Sequence, residues 1–382
     1  MPWHQRDLMS LRREFVELAT PEGVNRRELF RRFGISPRTG YKWIDRFKQQ
    51  GVAGLHEQSR RPQSTPAQTP EPIEARVIAL RRTHPAWGGR KIARRLAELG
   101  AANVPAPSTI TDILRRHGLI DSAASEAATP WRRFEHEHPN SLWQIDFKGY
   151  FDTGAGPCHP LTLIDDHSRF NLLLEACSRP DTVAVQPLLT GVFRRHGLPV
   201  RINADNGSPW GSPRQHSHGL SILSVWLIRL GIRVSHSRPY HPQTNGKIER
   251  FHRSLKAEVL AGRHFEDIGR VQQAFDPWRE VYNHERPHEA LGLDVPVKHY
   301  QSSPTPYPDK LPAIEYPDSD TVLTVDWNGW IKFKGNKIKV PSALHRLPIA
   351  LRPDLRRDGL YNAYLCHHRF MKLDLRKLNL TT

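Results

Sequence analysis

The segment "LWQIDFKGYF", residues 142–151, is where the pattern of the chain changes from helix to strand. Upstream, apolar residues recur three and four positions apart, whereas this segment is typical of a strand in which Asp146 interrupts the apolar positions. "PLTLID" (160–165) and "RFNLLLEACS" (169–178) predict two further strands directly after it. Three successive strands of this kind predict the antiparallel start of a sheet.

Helices and strands alternate downstream of these three strands. The segments with helical spacing are 181–197, 221–231, 244–261 and about 267–283, and the strand-like segments are 199–205 and 232–237. An antiparallel start followed by such alternation predicts an α/β core with a mixed sheet.

Two helix-turn-helix units precede the core. In the first, Ser36 and Pro37 suit the cap and the first position of a helix that follows the turn at Gly34. Pro107 begins an equivalent basic helix in the second unit. A helix, a turn and a basic helix form the arrangement that enters the DNA major groove. The predicted helices are 7–19, 25–33, 38–51, 71–83, 89–99 and 109–118, with linkers at 59–72 and 121–140.

The C-terminal part is predicted to be a separate β domain. Residues 304–318 contain five prolines and predict a linker. Beyond it, "TVLTVDWNGWIKFKGNKIKV" (321–340) and later short apolar segments alternate with Gly and Asn turns, which predicts a small β-barrel. The predicted domains are two helix-turn-helix units at 1–58 and 71–120, an α/β core at 139–300 and a small β-barrel at 319–382.

The charge of the chain indicates a polyanionic partner. Its 382 residues carry a formal net charge of +17, and the excess is spread along the sequence. Nucleic acid is the simplest partner for diffuse positive charge of this size. No apolar run approaches the ~18 residues of a membrane span, and no signal-peptide pattern opens the chain. We therefore expect a soluble, cytoplasmic protein without a membrane partner.

Zinc and disulfides are not indicated by the cysteines and histidines. The three cysteines are far apart and form no CxxC motif. The histidine pairs lack the spacing and companion ligands of a zinc site. These pairs are His136 and His138, His216 and His218, and His367 and His368.

Three carboxylates are candidates for metal-dependent chemistry. Asp146 lies within a strand, Asp205 in "RINADNGSPW" (201–210) follows another strand, and Glu249 lies on the helix of "HPQTNGKIERFHRSLK" (241–256). They could meet at one end of the sheet, where open α/β sheets place their sites. Oxygen ligands suit Mg²⁺ or Mn²⁺, and two such ions can activate attack on a phosphodiester. Each carboxylate taken alone is more often a surface ion pair. Asp165 and Asp166 are interpreted as turn residues, although Asp165 is near enough to matter.

Basic residues near these carboxylates and on the reading helices are candidate DNA contacts. Lys256 follows Glu249 by seven residues, which is two helical turns on the same face. Its ammonium could hold the phosphate next to the metal site. The predicted DNA-binding residues are Arg38, Thr39, Lys42 and Arg46 in the first unit, Thr109, Arg115 and Arg116 in the second, and Lys247, Arg253 and Lys256 in the core.

Five segments in order resemble one known family. They are "LWQIDFKG", "LIDDHSRF", "NADNGSPW", "HPQTNGKIERFHRSLK" and "YNHERPHEALGLDVPVKHY". Together with the paired helix-turn-helix start and the "NGWIKFKG" tail, they resemble the DDE transposases of the insertion sequence 481 family over nearly the whole chain. The separation of Asp205 from Glu249, 249 − 205 = 44 positions, is longer than in retroviral integrases, and no HHCC zinc domain is visible.

The resemblance implies an RNase H-like core of the retroviral-integrase type that uses two divalent ions. Asp146, Asp205 and Glu249 would carry the DDE roles, and Lys256 would be the basic residue that follows the Glu. The protein would bind terminal inverted repeats, cleave transposon ends and transfer them into target DNA. Because two ends must be joined, a dimer or higher oligomer on DNA is expected.

Two other functions stay open from the sequence. A DNA-binding regulator or transposase relic would bind DNA without a metal-dependent nick. A different RNase H-fold nuclease, such as a junction resolvase, would prefer branched DNA to one duplex sequence.

Overall fold

The computed structural model describes residues 8–57, 68–120, 136–211, 219–236 and 246–378. The chain divides into two compact units, Met1–Gln68 and Thr69–Thr382. Four predicted features lie largely or partly outside the described residues. They are most of the linkers at 59–72 and 121–140, the pair His216 and His218, and residues 241–245 of the motif that contains Glu249.

The first unit is a set of three α-helices followed by a 3₁₀ turn. Its third helix begins as the sequence predicts, because the Ser36 hydroxyl accepts a hydrogen bond from the Thr39 N–H (3.2 Å) and Pro37 occupies the first turn. A Cβ at Gly40 would lie 2.1 Å from the Phe30 ring, so only glycine permits this packing. The helices are α1 (Leu8–Ala19), α2 (Arg26–Arg32) and α3 (Pro37–Gln50), and the turn is Gly51–Leu55.

Three more helices open the second unit around the buried Trp87 ring. The Arg81 guanidinium donates hydrogen bonds to the carbonyls of Trp87 (2.8 Å) and Leu119 (2.9 Å), which ties the start of this segment to its end. A Cβ at Gly89 would lie 2.3 Å from the Pro107 carbonyl, so the second and third helices approach closely there. The helices are α4 (Glu71–Thr83), α5 (Gly89–Glu98) and α6 (Pro107–Arg116).

A mixed sheet of six strands lies at the centre of the second unit. The strands are β1 (Trp143–Phe147), β2 (Phe151–Thr153), β3 (Gly156–Asp165), β4 (Asn171–Cys177), β5 (Arg201–Ala204) and β6 (Arg233–His236). Their order is β2–β3–β1–β5–β6, with β4 also paired to β3. The pairs of β3 with β1, β2 and β4 are antiparallel, whereas β1–β5 and β5–β6 are parallel. The predicted α/β core with a mixed sheet is confirmed, and the first predicted strand is divided into β1 and β2.

Helices cover both faces of this sheet because its strands alternate apolar side chains between them. Trp143 and Leu163 pack with one pair of helices, while Ile164 and Leu174 pack with the other pair. The first pair is α7 (Thr182–His196) and α8 (Ile222–Arg229), and the second is α9 (Gly246–Leu255) and α10 (Ile268–His284).

A π-helical turn interrupts the long helix that was predicted over 244–261. The α-helix ends at Leu255, and Lys256–Leu260 form the π turn. Within this turn, Glu258 accepts a hydrogen bond from the Trp278 indole N–H (2.6 Å) and pairs with Arg286 (2.6 Å). The turn is therefore fixed to α10 and to the segment that follows it.

The predicted linker at 304–318 contains no helix or strand, but it packs against the α/β core. Tyr307 and Leu311 pack against the core, and the Leu198 N–H donates to the Thr305 carbonyl (2.8 Å). Proline removes backbone donors, and this segment is held mainly by its side chains and carbonyls.

The C-terminal β-barrel is not confirmed. The tail forms an open four-stranded antiparallel sheet in the order β12–β11–β10–β7 and a separate hairpin of β8 and β9. Among the described residues, no ladder joins the two sheets into a closed ring. The strands are β7 (Thr321–Thr324), β8 (Trp330–Phe333), β9 (Asn336–Lys339), β10 (Pro348–Pro353), β11 (Leu360–Leu365) and β12 (His368–Asp374), followed by the short helix α11 (Leu375–Leu378). Val225 and Ile228 of α8 complete the core of this sheet, so the tail packs on the α/β core.

Substitution of His196 by Phe is expected to reduce the acid sensitivity of the fold. The imidazole is buried beside the rings of Phe170 and Tyr300, and within the described structure neither ring nitrogen has a hydrogen-bond partner. Burial, together with Arg195 and Arg279, lowers the pKa of His196 to about 4. In the unfolded chain the pKa of a histidine is about 6.5. The free energy of unfolding is therefore highest above pH 6.5 and falls as the pH drops below 6.5, by at most about 1.4 kcal/mol per pH unit.

Urea unfolding at pH 8 and pH 5 measures this effect. The free energy of unfolding of His196→Phe should decrease less between the two pH values than that of the wild type. Equal decreases would show that the pKa of His196 is the same in the folded and unfolded protein, and so that burial does not depress it, whatever the cost of the larger ring.

Candidate active site

The parallel pairing of β1 and β5 places Asp146 and Asp205 side by side. Trp143 pairs with Ile202 and Gln144 with Asn203, so the offset between the strands is 202 − 143 = 203 − 144 = 59. The same offset, 146 + 59 = 205, places Asp205 beside Asp146, one residue after β5 ends. Neighbouring strands lie about 4.8 Å apart, and residues at one register point to the same face. The two carboxylates therefore share one end and one face of the sheet.

The ionisation of Asp146 shows that this end of the sheet collects negative charge. Burial, together with the carboxylates of Asp205 and Glu249, raises its pKa to about 7, against a backbone hydrogen bond from Phe147 that lowers it. Like charges in a poorly solvated site disfavour one another's ionised form. Asp205 and Glu249 thus both lie near enough to Asp146 to act on its carboxylate.

The three carboxylates are not gathered into one coordination shell. Across the part of the chain that the structure describes, no group of three or more His, Cys, Asp or Glu side chains could hold a metal ion as placed. Glu249 is exposed on the first turn of α9, two residues after Lys247. Three oxygen donors whose mutual repulsion raises a pKa nevertheless match the chemistry of a hard divalent cation, which would neutralise them.

The loop after β5 orients Asp205 through backbone contacts. The Gly207 N–H donates to the Asp205 carboxylate (3.0 Å), and a Cβ at Gly207 would lie 3.2 Å from the same group. Trp210 is buried at the end of the loop, with its ring centroid 6.2 Å from that of Phe147. The His236 imidazole lies 2.7 Å from the Asp205 carbonyl oxygen. In "NADNGSPW", Gly207 therefore leaves room for the Asp205 carboxylate, and the buried Trp210 anchors the end of the loop.

A basic cavity of about 360 Å³ lies beside this end of β1. Its cationic side chains are Lys148, Lys256 and Arg263, and Tyr150 lies next to them. Burial and the nearby Lys256 ammonium lower the pKa of Lys148. Sequence reasoning selected Lys256 and missed Lys148. The signal was present, because strand alternation puts residue 148 on the same face as Asp146.

Lys247 is engaged inside the protein. Its ammonium forms an ion pair with the Asp166 carboxylate, which is 2% exposed, and donates to the Asp166 carbonyl (3.1 Å). Asp166 also accepts a hydrogen bond from the Gln144 amide (2.8 Å). Asp165 accepts hydrogen bonds from the backbone N–H groups of Asn140 and Ser168 (both 2.8 Å), as a turn residue does. The interaction of Lys247 with DNA stays a prediction, alongside this structural role.

His252 and Asn283 were not predicted as structural residues. Burial and Lys148 lower the pKa of His252 to about 3, and its ring lies 3.1 Å from the Thr162 hydroxyl. The Asn283 amide pairs with both the N–H and the carbonyl of Asn171 (2.8 and 3.0 Å). These groups fix α9 and α10 to the sheet that carries the carboxylates.

Some of the predicted DNA-binding side chains are exposed to solvent, and others interact with residues of the protein itself. In α3, Arg38 and Lys42 are exposed, and Thr39 contacts the capping Ser36 hydroxyl (2.9 Å). The Lys42 ammonium and the Arg46 guanidinium lie over the Trp43 ring, at 4.5 and 5.3 Å. In the second unit, Thr109 is exposed, Arg115 pairs with Asp112 and Arg116 pairs with Glu74 (3.0 Å). In α9 and the π turn, Arg253 and Lys256 are exposed.

Family models match along most of the chain. Two integrase core domain models match residues 136–242 and 230–296. A helix-turn-helix domain matches 11–63, a homeodomain-like domain matches 39–114, and the C-terminal domain of IS481 family transposases matches 320–381.

The chain joins helix-turn-helix domains, an integrase core and an IS481 family transposase C-terminal domain. The resemblance inferred from the sequence is confirmed. These are the domains of DNA integration and transposition, and an integrase core implies polynucleotidyl transferase activity. None of the described helices is long and apolar enough to cross a bilayer.

Curated relatives include proteins of bacterial insertion elements. An uncharacterized 39.2 kDa protein of insertion element IS476 from Xanthomonas euvesicatoria is 24% identical over 65% of this chain and 70% of its own length. A 31.7 kDa protein of IS407 from Burkholderia multivorans is 24% identical over 44% of this chain and 59% of its own length. The Pro-Pol polyprotein of simian foamy virus type 3 is 30% identical, but the match spans 38% of this chain and 12% of the polyprotein.

Solved structures with some likeness come from retroviral integrases. The intasome of simian T-cell lymphotropic virus aligns with a TM-score of 0.39 at 16% identity, over 78% of this chain and 96% of that one. The HTLV-2 integrase catalytic core with magnesium aligns at 0.32 and 14% identity, over 44% of this chain and 100% of that one. These scores are low, so the fold assignment rests on the strand order and the family models.

Lys247→Ala is expected to destabilise the protein by about 3 kcal/mol, because it leaves the Asp166 carboxylate buried without its counter-charge. Arg253→Ala removes the same charge from the same helix, at an exposed position, and should change stability by less than about 0.5 kcal/mol. Denaturant unfolding of the two variants gives the comparison. Similar stabilities would show that the Lys247 ion pair contributes nothing and that its ammonium is available to DNA.

Proposed function

We propose that the protein is a DDE transposase that binds the terminal inverted repeats of an insertion sequence, cleaves the DNA there and transfers the cut end into target DNA. The observation that carries the proposal is the register of β1 and β5, which sets Asp146 beside Asp205. The raised pKa of Asp146, to which Asp205 and Glu249 contribute, supports the inclusion of all three carboxylates.

Asp146, Asp205 and Glu249 would hold divalent cations, Mg²⁺ or Mn²⁺, and two ions suit the reaction. When bound, such cations activate the attacking oxygen and stabilise the leaving oxygen at a phosphodiester. The chain's own residues complete the site. Gly207 orients the Asp205 carboxylate, and His252, neutral at its low pKa of about 3, fixes α9 against β3 without adding charge.

The basic cavity beside the carboxylates would hold the DNA backbone next to the bond that is cut. Lys148 and Lys256 lie close enough for one to lower the pKa of the other, and Arg263 lines the same cavity. Asp152 is the one carboxylate in the lining, so three cations face a single acidic side chain and the excess positive charge favours a phosphate between them. We add Lys148 to Lys256 and Arg253 as a DNA contact of the core.

The helix-turn-helix units would supply the sequence reading. Arg38, Lys42 and Thr109 are exposed, as are Arg115 and Arg116, but the latter two form ion pairs. An exposed polar residue on a helix that follows a turn can reach base edges. Because two ends must be brought together, the active form would be a dimer or a higher oligomer on DNA. The predicted division into domains at 1–58, 71–120, 139–300 and 319–382 belongs to this proposal.

Removal of one carboxylate should abolish cleavage and strand transfer together. Asp146→Asn, Asp205→Asn and Glu249→Gln each keep the size of the side chain but delete the charge that retains hard cations. We expect nicking of an end-bearing duplex in Mg²⁺ to fall to background in each variant. DNA binding in gel shifts should be equal to or tighter than that of the wild type, since negative charge is removed from a basic surface.

Asp309→Asn is the matched control for these variants, because Asp309 is an exposed carboxylate in the segment after the core. It should nick at the wild-type rate. Near-native nicking by any one triad variant would remove that residue from the site. Tight binding of the ends by a wild type that never nicks would favour the DNA-binding relic, and a preference for branched DNA would favour a resolvase.

Gly207→Ala tests the positioning of Asp205 without changing any charge. The added Cβ would lie 3.2 Å from the carboxylate and push it by a few tenths of an ångström. We expect nicking to slow on the order of 10-fold, since a misplacement of about 1 Å can cost about 100-fold, while DNA binding is unchanged. Gly191→Ala on α7 meets no atom within 4 Å and serves as the control. Equal rates for the two variants would mean that the loop does not position Asp205 for catalysis.

A further inference from the structure

A second basic cavity lies between the edge of the core sheet and the C-terminal sheet. Its volume is about 480 Å³. The edge strand β6 and the neighbouring β5 supply Arg233, Ser235 and Arg201, and the other side is supplied by His367, His368 and Arg369 at the start of β12. We call this cavity the junction pocket.

The walls of the junction pocket are held in place by a tight turn and by apolar packing. Leu365 pairs with His368 across a two-residue turn, in which Cys366 has a φ of 49°, so the chain reverses tightly at the rim of the pocket. Val234, in the floor, packs against the cores of both the α/β domain and the C-terminal sheet. The two walls are therefore held together by apolar packing on both sides.

The charge of the junction pocket is positive and uncompensated. Its lining contains three arginines and no Asp or Glu. Within the described residues, none of Arg201, Arg233 and Arg369 forms an ion pair with a carboxylate at 4.0 Å or less. Arg201 and Arg233 stand directly opposite each other in the β5–β6 ladder. Like charges placed directly opposite each other on neighbouring strands are destabilising unless an anion joins them.

The pKa values of both histidines in the junction pocket are lowered by their surroundings. Burial lowers the pKa of His367, and the neighbouring Arg233 lowers it further. Burial also lowers the pKa of His368, with His367 and His236 contributing. Imidazoles near cations are neutral donors at neutral pH, which is suitable for a bound anion.

The junction pocket is separate from the carboxylate site. Arg201 begins β5 and Asp205 follows its last residue. Four residues of extended strand span about 13 Å, so Arg201 and the opposing Arg233 lie at the other end of their strands from the carboxylates. Ser235, which pairs with Asn203, extends the pocket along the strand toward Asp205.

We propose that the junction pocket binds a backbone phosphodiester of duplex DNA, distinct from the phosphodiester that is cut. Guanidinium groups are well matched to phosphate oxygens, because their planar donors bind two oxygens at once. A contact to a backbone phosphate carries no sequence information, so binding in this pocket would be independent of the DNA sequence. The proposal rests on the proposed function only in taking DNA as the ligand. It adds the β6 edge and the C-terminal turn to the DNA path.

The test compares two pairs of arginine substitutions in the full-length protein. Arg233→Ala with Arg369→Ala removes two exposed cations of the pocket. Arg356→Ala with Arg357→Ala removes two exposed cations of the same domain outside it, in the turn between β10 and β11. Binding of a labelled duplex of arbitrary sequence is measured by fluorescence anisotropy over a series of salt concentrations, after thermal unfolding shows that both proteins fold.

The pocket variant is expected to bind about 10-fold more weakly than the control pair at low salt, since each charge-assisted hydrogen bond to phosphate contributes strongly. The slope of log K against log salt should become shallower by about 0.9, because the protein no longer neutralises one phosphate. Arg233→Lys with Arg369→Lys should recover most of the slope, because the charge is restored.

Equal affinities and slopes for the two alanine pairs would overturn the proposal, including when both are weaker than wild type through loss of general charge. It would also be overturned if inorganic phosphate raised the melting temperature of the wild type but not of the pocket variant, while duplex binding stayed equal to the control. That outcome would assign the pocket to a small phosphate ligand. Nicking is not a readout here, so a wild type that fails to cleave contradicts the proposed function and leaves this result interpretable.

Discussion

Repulsion between two carboxylates at one register of neighbouring parallel strands is the constraint around which the core is arranged. Asp146 and Asp205 cannot separate without breaking the β1–β5 ladder, and burial prevents water from screening them fully. The remaining ways to relieve the repulsion are protonation, which the raised pKa of Asp146 reflects, or binding of a cation. A fold that keeps such a pair in place holds a site ready for positive charge.

The helix that carries Glu249 is fixed by ion pairs in poorly solvated positions. Lys247 pairs with Asp166 at its start, and Glu258 in the π turn pairs with Arg286. Buried pairs of this kind contribute little net stability, but the loss of one partner is costly because a charge stays unpaired. Their effect is to select one position of α9 along the sheet, and so one placement of Glu249 relative to the strands.

Positive charge in this protein therefore has two distinct uses. Lys247 and Arg286 neutralise interior carboxylates. In the same region, burial and the nearby Arg286 lower the pKa of Lys91 to about 7. By contrast, the cations beside β1 and those at the β6 edge face cavities that lack enough acidic partners to neutralise them. A net charge of +17 cannot show which lysines and arginines belong to which group.

The sequence by itself determined the kinds of elements, their order and the family. Strand alternation, helix caps at Ser36 and turn residues are local properties, so the two helical units, the mixed sheet and the carboxylate at Asp146 were accessible without the fold. The sequence could not show whether the tail closes into a barrel, because pairing between distant strands depends on packing against α8. The ion pair of Lys247 and the junction pocket were missed for the same reason. Each joins residues distant in sequence or depends on burial, and only the tertiary structure decides which charges meet a partner and which stay open to a phosphate.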